Sequence, residues 1–301
     1  KDVEGVVFNT NRLAPRLGLT FDLFGDKTTV FKAHYGQFTE AMLASYHSPL
    51  NPDSAYSDYI GFYWNGASWV EFTRTQHVSL FKMDPDVQHP YLNQFTVGLE
   101  RELFKDTSLG VSFIYRQWKN QIGQVDRAAD YVKVPYYVEE LGKTIELYER
   151  TPETVDTFDY LLTNIKKGGW ILDDPYRNYW GLEVLFNKRF SNRWQLLASY
   201  VYSKTQGTMD NQFGGDTGWQ ATWSQSGLGI TTDDPNFWIN ADGYSFFDPT
   251  HMLKIQGTYI LPFDISFNAY FRAITGNAWA PQVETARLNQ GRTFVFLEPR
   301  G

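Results

Sequence analysis

Four times in this chain, two runs of alternating apolar and polar residues meet at a very short turn carrying a phenylalanine. The turns are Leu23-Phe24-Gly25-Asp26, Leu103-Phe104-Lys105-Asp106, Arg189-Phe190-Ser191-Asn192 and Pro262-Phe263-Asp264. A period of two gives a strand one apolar and one polar face. Between the tight turns run long, polar, aromatic-rich segments. Short turns at one end of such strands and long loops at the other are the pattern of an antiparallel transmembrane β-barrel.

The alternation predicts eight strands. They run over Arg16–Leu23, Thr29–Gln37, Gln94–Leu103, Ser108–Gln117, Trp180–Arg189, Trp194–Ser203, Met252–Leu261 and Ile265–Arg272, with a ninth expected over Arg292–Leu297. Each is about 8–11 residues, enough to cross a bilayer when tilted. In the first, Leu17, Leu19, Phe21 and Leu23 share one face, and Arg16, Gly18, Thr20 and Asp22 the other. The polar faces carry Arg16, Lys32, Glu100, Arg116, Glu183, Arg189, Lys254 and Arg272, which suit a wet or plugged lumen. Phe24, Phe104, Phe190, Phe263 and Trp194 fall at the periplasmic interface, and Tyr35, Tyr115, Tyr179 and Trp180 at the opposite one, as two aromatic girdles require.

Composition agrees. The 301 residues include 23 Phe, 19 Tyr and 10 Trp, a share that two girdles call for. No apolar run of about 18 residues exists, so no transmembrane helix is expected. The mean hydropathy is negative, as a barrel allows because only alternate residues meet lipid. With no cysteine there is no disulfide and no cysteine metal site, and a net charge of -7 argues against nucleic acid as a partner. Lys1 opens the chain with no basic or apolar leader, and Glu298-Pro299-Arg300-Gly301 does not read as a closing strand. The signal peptide is therefore expected to be gone and the chain truncated at both ends.

Three long loops are expected, over 38–93, 119–178 and 204–251, and loops of this length are commonly functional. Within them, Tyr59–Trp64 and Trp69–Thr73 around Asn65-Gly66 read as a hairpin, and Tyr131–Tyr137 with Thr144–Tyr148 as another. Trp64, Trp69, Trp219, Trp223 and Trp238 are candidates for a ligand-stacking platform, or for the small cores that fold the loops. Asp233, Asp234, Asn236, Asn240 and Asp242 offer hard oxygens for calcium, but Asp, Asn and Pro also form turns, and the turn is the preferred reading. His77, Asp84, Asp86 and His89 cluster in one loop without a defining catalytic spacing. No zinc-protease helix motif, nucleophile elbow or phosphate loop is present. No catalytic residue, metal site or cofactor is assigned, and no enzyme activity is expected.

Several segments together resemble a family. Leu13–Leu19 with Phe24–Gly36 is similar to a barrel hairpin of TonB-dependent outer-membrane receptors, closest to the Oar-like branch that carries a carboxypeptidase-regulatory-like domain. Asn93–Leu103, Tyr179–Glu183, Asn187–Ser191, Ala198–Lys204 and Asp248–His251 continue the resemblance in order along nearly the whole chain. The resemblance implies a barrel of about 22 strands around a plug domain, in the outer membrane of a Gram-negative bacterium. It implies uptake of an extracellular ligand bound at the loops, with the plug displaced by the TonB–ExbB–ExbD system. Residues 1–301 would be a portion of that barrel, all-β with about eight or nine strands, lacking plug, signal peptide and closing strands. Its partners would be outer-membrane lipid, the plug, the remaining strands and a ligand that is a siderophore, an oligosaccharide or a peptide. An open set of strands would leave two unpaired edges, which lipid does not tolerate.

Two other readings stand beside this one. A small self-contained outer-membrane barrel would be an adhesin, pore or surface hydrolase, its narrow lumen filled by side chains. A soluble carbohydrate-binding β-protein would use the aromatics for sugar.

Overall fold

The computed structural model describes residues 11–39, 59–75, 81–209, 233–246, 248–285, 288–291 and 293–301. In chain order the strands are β1 Arg16–Asp22, β2 Thr29–Thr39, β3 Tyr59–Trp64, β4 Trp69–Thr75, β5 Phe81–Met83, β6 Tyr91–Phe104, β7 Thr107–Lys119, β8 Ile122–Asp126 and β9 Tyr131–Val138. They continue as β10 Lys143–Arg150, β11 Tyr160–Asn164, β12 Arg177–Ser191, β13 Trp194–Gly207, β14 Gly243–Tyr244, β15 His251–Ile260, β16 Ser266–Ile274, β17 Gln282–Glu284 and β18 Phe294–Phe296.

Eight of these form one antiparallel sheet in the order β1-β2-β6-β7-β12-β13-β15-β16, with short β14 added to β13. The eight strands expected from alternation are all present, several of them longer. β6 and β7 run to 14 and 13 residues and β12 to 15. The ninth is a correction. Phe294–Phe296 pairs with Gln282–Glu284 in a separate two-stranded sheet, so it does not extend the barrel wall.

Directly opposed residues of an antiparallel pair share a face, so the register sorts the side chains. Leu19, Ala33, Val97, Phe113, Leu182 and Tyr202 form one apolar row across six strands. The row on the other face, one residue along each strand, is Thr20, Lys32, Gly98, Ser112, Glu183 and Val201. A Cβ on Gly98 would come within 2.7 Å of the Ser112 Oγ, so the small residue lets these rows pack. Farther along, Tyr35, Phe95, Tyr115 and Trp180 make an aromatic row on the apolar face. The next residues on that face are all amides: Gln37, Asn93, Gln117, Asn178 and Gln206. A change from rings to amides at one level marks where hydrocarbon gives way to water. Tyr179 is a correction to the girdle: it opposes Arg116 on the polar face, with the Arg116 guanidinium 5.0 Å from its ring.

The tight turns close on backbone that acidic and amide residues tolerate. Asn192 and Arg193 both have positive φ, 52° and 70°, as a two-residue hairpin of matching twist requires. Asp22 accepts hydrogen bonds from the backbone of Gly25 and Lys27 and closes the first turn. Phe24, Phe104, Phe190 and Phe263 stand exposed there, Phe263 at 94%.

The deep core lies elsewhere. Among the described residues, every buried hydrophobic side chain belongs to a segment outside the eight long strands, including Ile122, Leu147, Leu162, Trp238, Val295 and Phe296. The wall of strands is apolar on its outer surface, and the connecting segments at one end build a water-type core of their own.

Candidate ligand-binding surface

The described parts of the long connections from β5 onward pack together at one end of the sheet, termed the cap below. β11 pairs in parallel with β5 from the first long connection and antiparallel with β8 from its own. The Asn164 side chain donates to the carbonyls of Gln88 and Asn120 at 2.8 and 2.9 Å, fixing those two connections together. β9 and β10 form the expected hairpin. The free edge of β10 is capped by side chains from two other segments. Asn236 exchanges two hydrogen bonds with the Tyr148 backbone, accepting at 2.9 Å and donating at 2.6 Å, while Gln290 and Asn289 donate to the carbonyls of Tyr148 and Arg150. Amide side chains thus satisfy a strand edge that would otherwise be open.

The segment after β16 joins this assembly. Arg300 is buried and donates to the carbonyls of Gly207 and Tyr244 at 3.0 and 2.9 Å, tying the chain back to the rim of the sheet.

At the centre lies an ionic cluster. Arg150 and Asp126 pair at 2.8 Å with side-chain exposures of 5% and 1%. Asp233 accepts a 2.8 Å hydrogen bond from the Asp126 backbone N–H. Burial pushes the Asp233 carboxyl up to about 7, with further upward pressure from the Asp126 and Asp234 charges, against the Asp126 hydrogen bond. Burial pushes Asp234 up to about 6, opposed by its bonds from Asn236 and Gln290 and by Arg150. The Tyr131 and Tyr160 hydroxyls are raised, first by burial and then by the carboxylates around them.

The candidate calcium oxygens are divided among other partners. Asp234 caps a short turn over Pro235–Trp238, Asn240 donates to the Phe296 carbonyl, and Asp242 accepts from the Tyr176 hydroxyl. The turn is what the structure shows. Asp84 is held by the Thr163 hydroxyl and the Asp86 backbone, which lower its carboxyl below the usual range. His77 lies outside the described residues.

The five tryptophans divide. Trp64 and Trp69 face each other edge-on at 5.6 Å beside the Asn65-Gly66 turn, 53% and 67% exposed. Trp238 is a correction. It is 5% exposed, packed with Ile165, Ile171 and Met209, so its ring faces are closed to a ligand. Trp219 and Trp223 lie outside the described residues.

On the sheet, the register puts Arg16, Lys32, Glu100, Arg116, Glu183, Lys254 and Arg272 on the same polar face. Lys32 and Glu100 are ion-paired at 2.6 Å, and the Arg116 Nε donates to Gln94. Arg189 sits where the β12–β13 register shifts. With Glu100, Glu102 and Asp106 it lines a shallow cavity of about 270 Å³ near the tight turns. The wall is therefore apolar on one side, charged on the other, with rings at both ends and a structured cap at one.

The outer membrane beta barrel domain family matches residues 3–282. The chain belongs to this family.

As an outer-membrane barrel, it resides in the outer membrane of a Gram-negative bacterium. It is 25% identical over 178 residues to the TonB-dependent transporter Oar of Myxococcus xanthus, an alignment covering 58% of this chain and 14% of that protein. Among solved structures it is similar to the outer membrane transporter YddB from Escherichia coli, at a TM-score of 0.47 and 12% identity over 95% of this chain and 32% of that one. The siderophore receptor PirA from Acinetobacter baumannii gives 0.42 and 12% over 88% and 30%. The barrel chain thus spans a small part of the Oar transporter and about a third of each of these two solved chains. These relatives are named as transporters and receptors.

Sequence reading of the barrel missed Asp126, Arg150, Gln290 and Arg300. Their signal was faint: charged and amide residues in loops look solvated until distant segments are seen to bury them.

Proposed function

We propose that this chain is part of the wall and extracellular cap of a TonB-dependent receptor that imports a ligand bound at its loops. The observation that carries this reading is the open sheet. β1 and β16 end the strand order and do not pair with each other. Neither edge is tolerable in hydrocarbon, so further strands must complete the wall. A barrel widened in this way has a lumen that side chains alone do not fill. A plug domain from the rest of the protein fills it, and the charged face carrying Arg16, Lys32, Glu100, Arg116, Glu183, Arg189, Lys254 and Arg272 lines it. Trp64 and Trp69 offer open ring faces to an arriving ligand. Displacement of the plug by TonB–ExbB–ExbD then admits the ligand to the periplasm.

The intact mass of the protein purified in detergent from its native outer membrane tests this. A mass well above 34.8 kDa, with a plug-sized N-terminal region, supports the receptor. A mass near that value without a co-purifying partner overturns it in favour of a small self-contained barrel.

A further inference from the structure

We propose that the cap is held shut by a proton: Asp233 docks into the Asp126–Arg150 pair while neutral, and ionisation of Asp233 loosens the docked loops. The inference rests on the packing of the loops and not on what the protein transports.

The argument begins with charge. Three carboxylates, Asp126, Asp233 and Asp234, are buried around one guanidinium. Arg150 is already engaged by Asp126 and by the carbonyls of Thr154 and Thr157. Its face carries the Phe158 ring at 5.0 Å. If all three acids were ionised, the cluster would hold two uncompensated negative charges out of water, an arrangement that shifts protonation sooner than it persists.

Asp233 is the member placed to take the proton. Its Oδ2 accepts from the Asp126 backbone, but its Oδ1 is buried with no hydrogen-bond partner among the described residues. Asp234, by contrast, is held by the Asn236 backbone N–H at 2.9 Å. The groups that face Asp233 are Asp126 from β8, Tyr131 from β9, Tyr160 from β11 and its neighbour Asp234, while Arg150 from β10 is paired with Asp126. Gln290, from the segment after β16, reaches Asp234. Among the described residues Arg150 is the one cation of the cluster. Burial and the charges of Asp126 and Asp234 therefore favour the neutral form of Asp233, against the hydrogen bond from the Asp126 backbone.

The location makes this a switch as well as a strain. Asp233 comes from the connection between β13 and β15, and Asp126 and Arg150 from that between β7 and β12. The contact between them is a joint between loops. The sign follows from linkage. The docked carboxyl titrates near 7 against an ordinary 3.8, so docking is strongest in acid and weakens as pH rises through about 7. Acidification tightens the cap and mild alkali relaxes it.

Hydrogen exchange by mass spectrometry on the full-length protein in detergent tests the proposal, with rates corrected for intrinsic exchange at pH 6 and pH 8. Peptides over 121–131, 144–150 and 233–241 should lose about tenfold in protection between these values, as one titrating group predicts, while peptides over 107–119 in the wall stay constant. Asp233→Asn should hold the pH 6 level of protection at both pH values, and Asp234→Asn should keep most of the response. Equal loop protection of the wild type at pH 6 and pH 8 overturns the proposal. So does a pH response that survives in Asp233→Asn or, if that variant does not assemble, one that vanishes in Asp234→Asn.

Discussion

The guanidinium of Arg150 lies 2.8 Å from the Asp126 carboxylate in the interior of the cap, with almost no water contact for either. Removing one partner of such a pair strands the other charge, at a cost of about 3–5 kcal/mol. Arg150→Met is therefore expected to open the cap and leave the wall intact. Limited proteolysis should cut rapidly between 121 and 165 while heat-modifiable migration of the barrel persists. Wild-type cleavage rates would show that the pair holds nothing in place.

Val111 and Ser112 are neighbours on β7 that face opposite ways. Val111→Lys puts a charge into hydrocarbon, a change costing about 2–4 kcal/mol near the bilayer midplane. Ser112→Lys puts the same charge among Lys32, Glu100 and Glu183 and should cost much less. Denaturant unfolding in lipid vesicles separates the two, and equal destabilisation would contradict the assignment of faces.

Gly207 has no room for a methyl group. A Cβ there would stand 2.1 Å from the Tyr176 carbonyl oxygen and 2.9 Å from the Arg177 Cα, both backbone atoms that cannot swing away. Overpacking of this kind costs about 1–3 kcal/mol. Gly207→Ala should weaken the junction between wall and cap, read as faster exchange of the amides of Tyr244 and Ser245. Unchanged exchange would mean that the junction is looser than the structure shows.

The Lys32–Glu100 pair is half exposed on both sides. Partly hydrated pairs contribute less than about 1 kcal/mol. Lys32→Met is expected to change the unfolding midpoint only slightly. A loss comparable to that of Arg150→Met would show that this face is dry in the assembled protein.

The wall was legible because lipid imposes a strict alternation: Leu19, Phe21, Val97 and Phe113 had to face one way wherever the turns fell. Strand ends were less so. Asn93, Gln117 and Asn178 break the apolar pattern, yet they continue the ladder as the amide row above the rings. The cap was nearly invisible. It is held by bonds such as those of Asn236 to Tyr148 and Asp233 to Asp126, between residues 88 and 107 positions apart. Asp233 to Asn236 read correctly as a turn, but nothing local says that the turn is buried or what it meets. Trp238 gave no sign of whether it faced a ligand or a core, because an aromatic ring serves either.

The central claim is that these strands cross a membrane with one face in lipid and one in water. Spin labels at single introduced cysteines from 108 to 117, in full-length protein lacking other cysteines and reconstituted in vesicles, test it most directly. Accessibility to oxygen should peak at 109, 111, 113 and 115, and accessibility to a water-soluble nickel complex at 108, 110, 112 and 114, with a period of two. Two profiles in phase, or no period, would contradict the account.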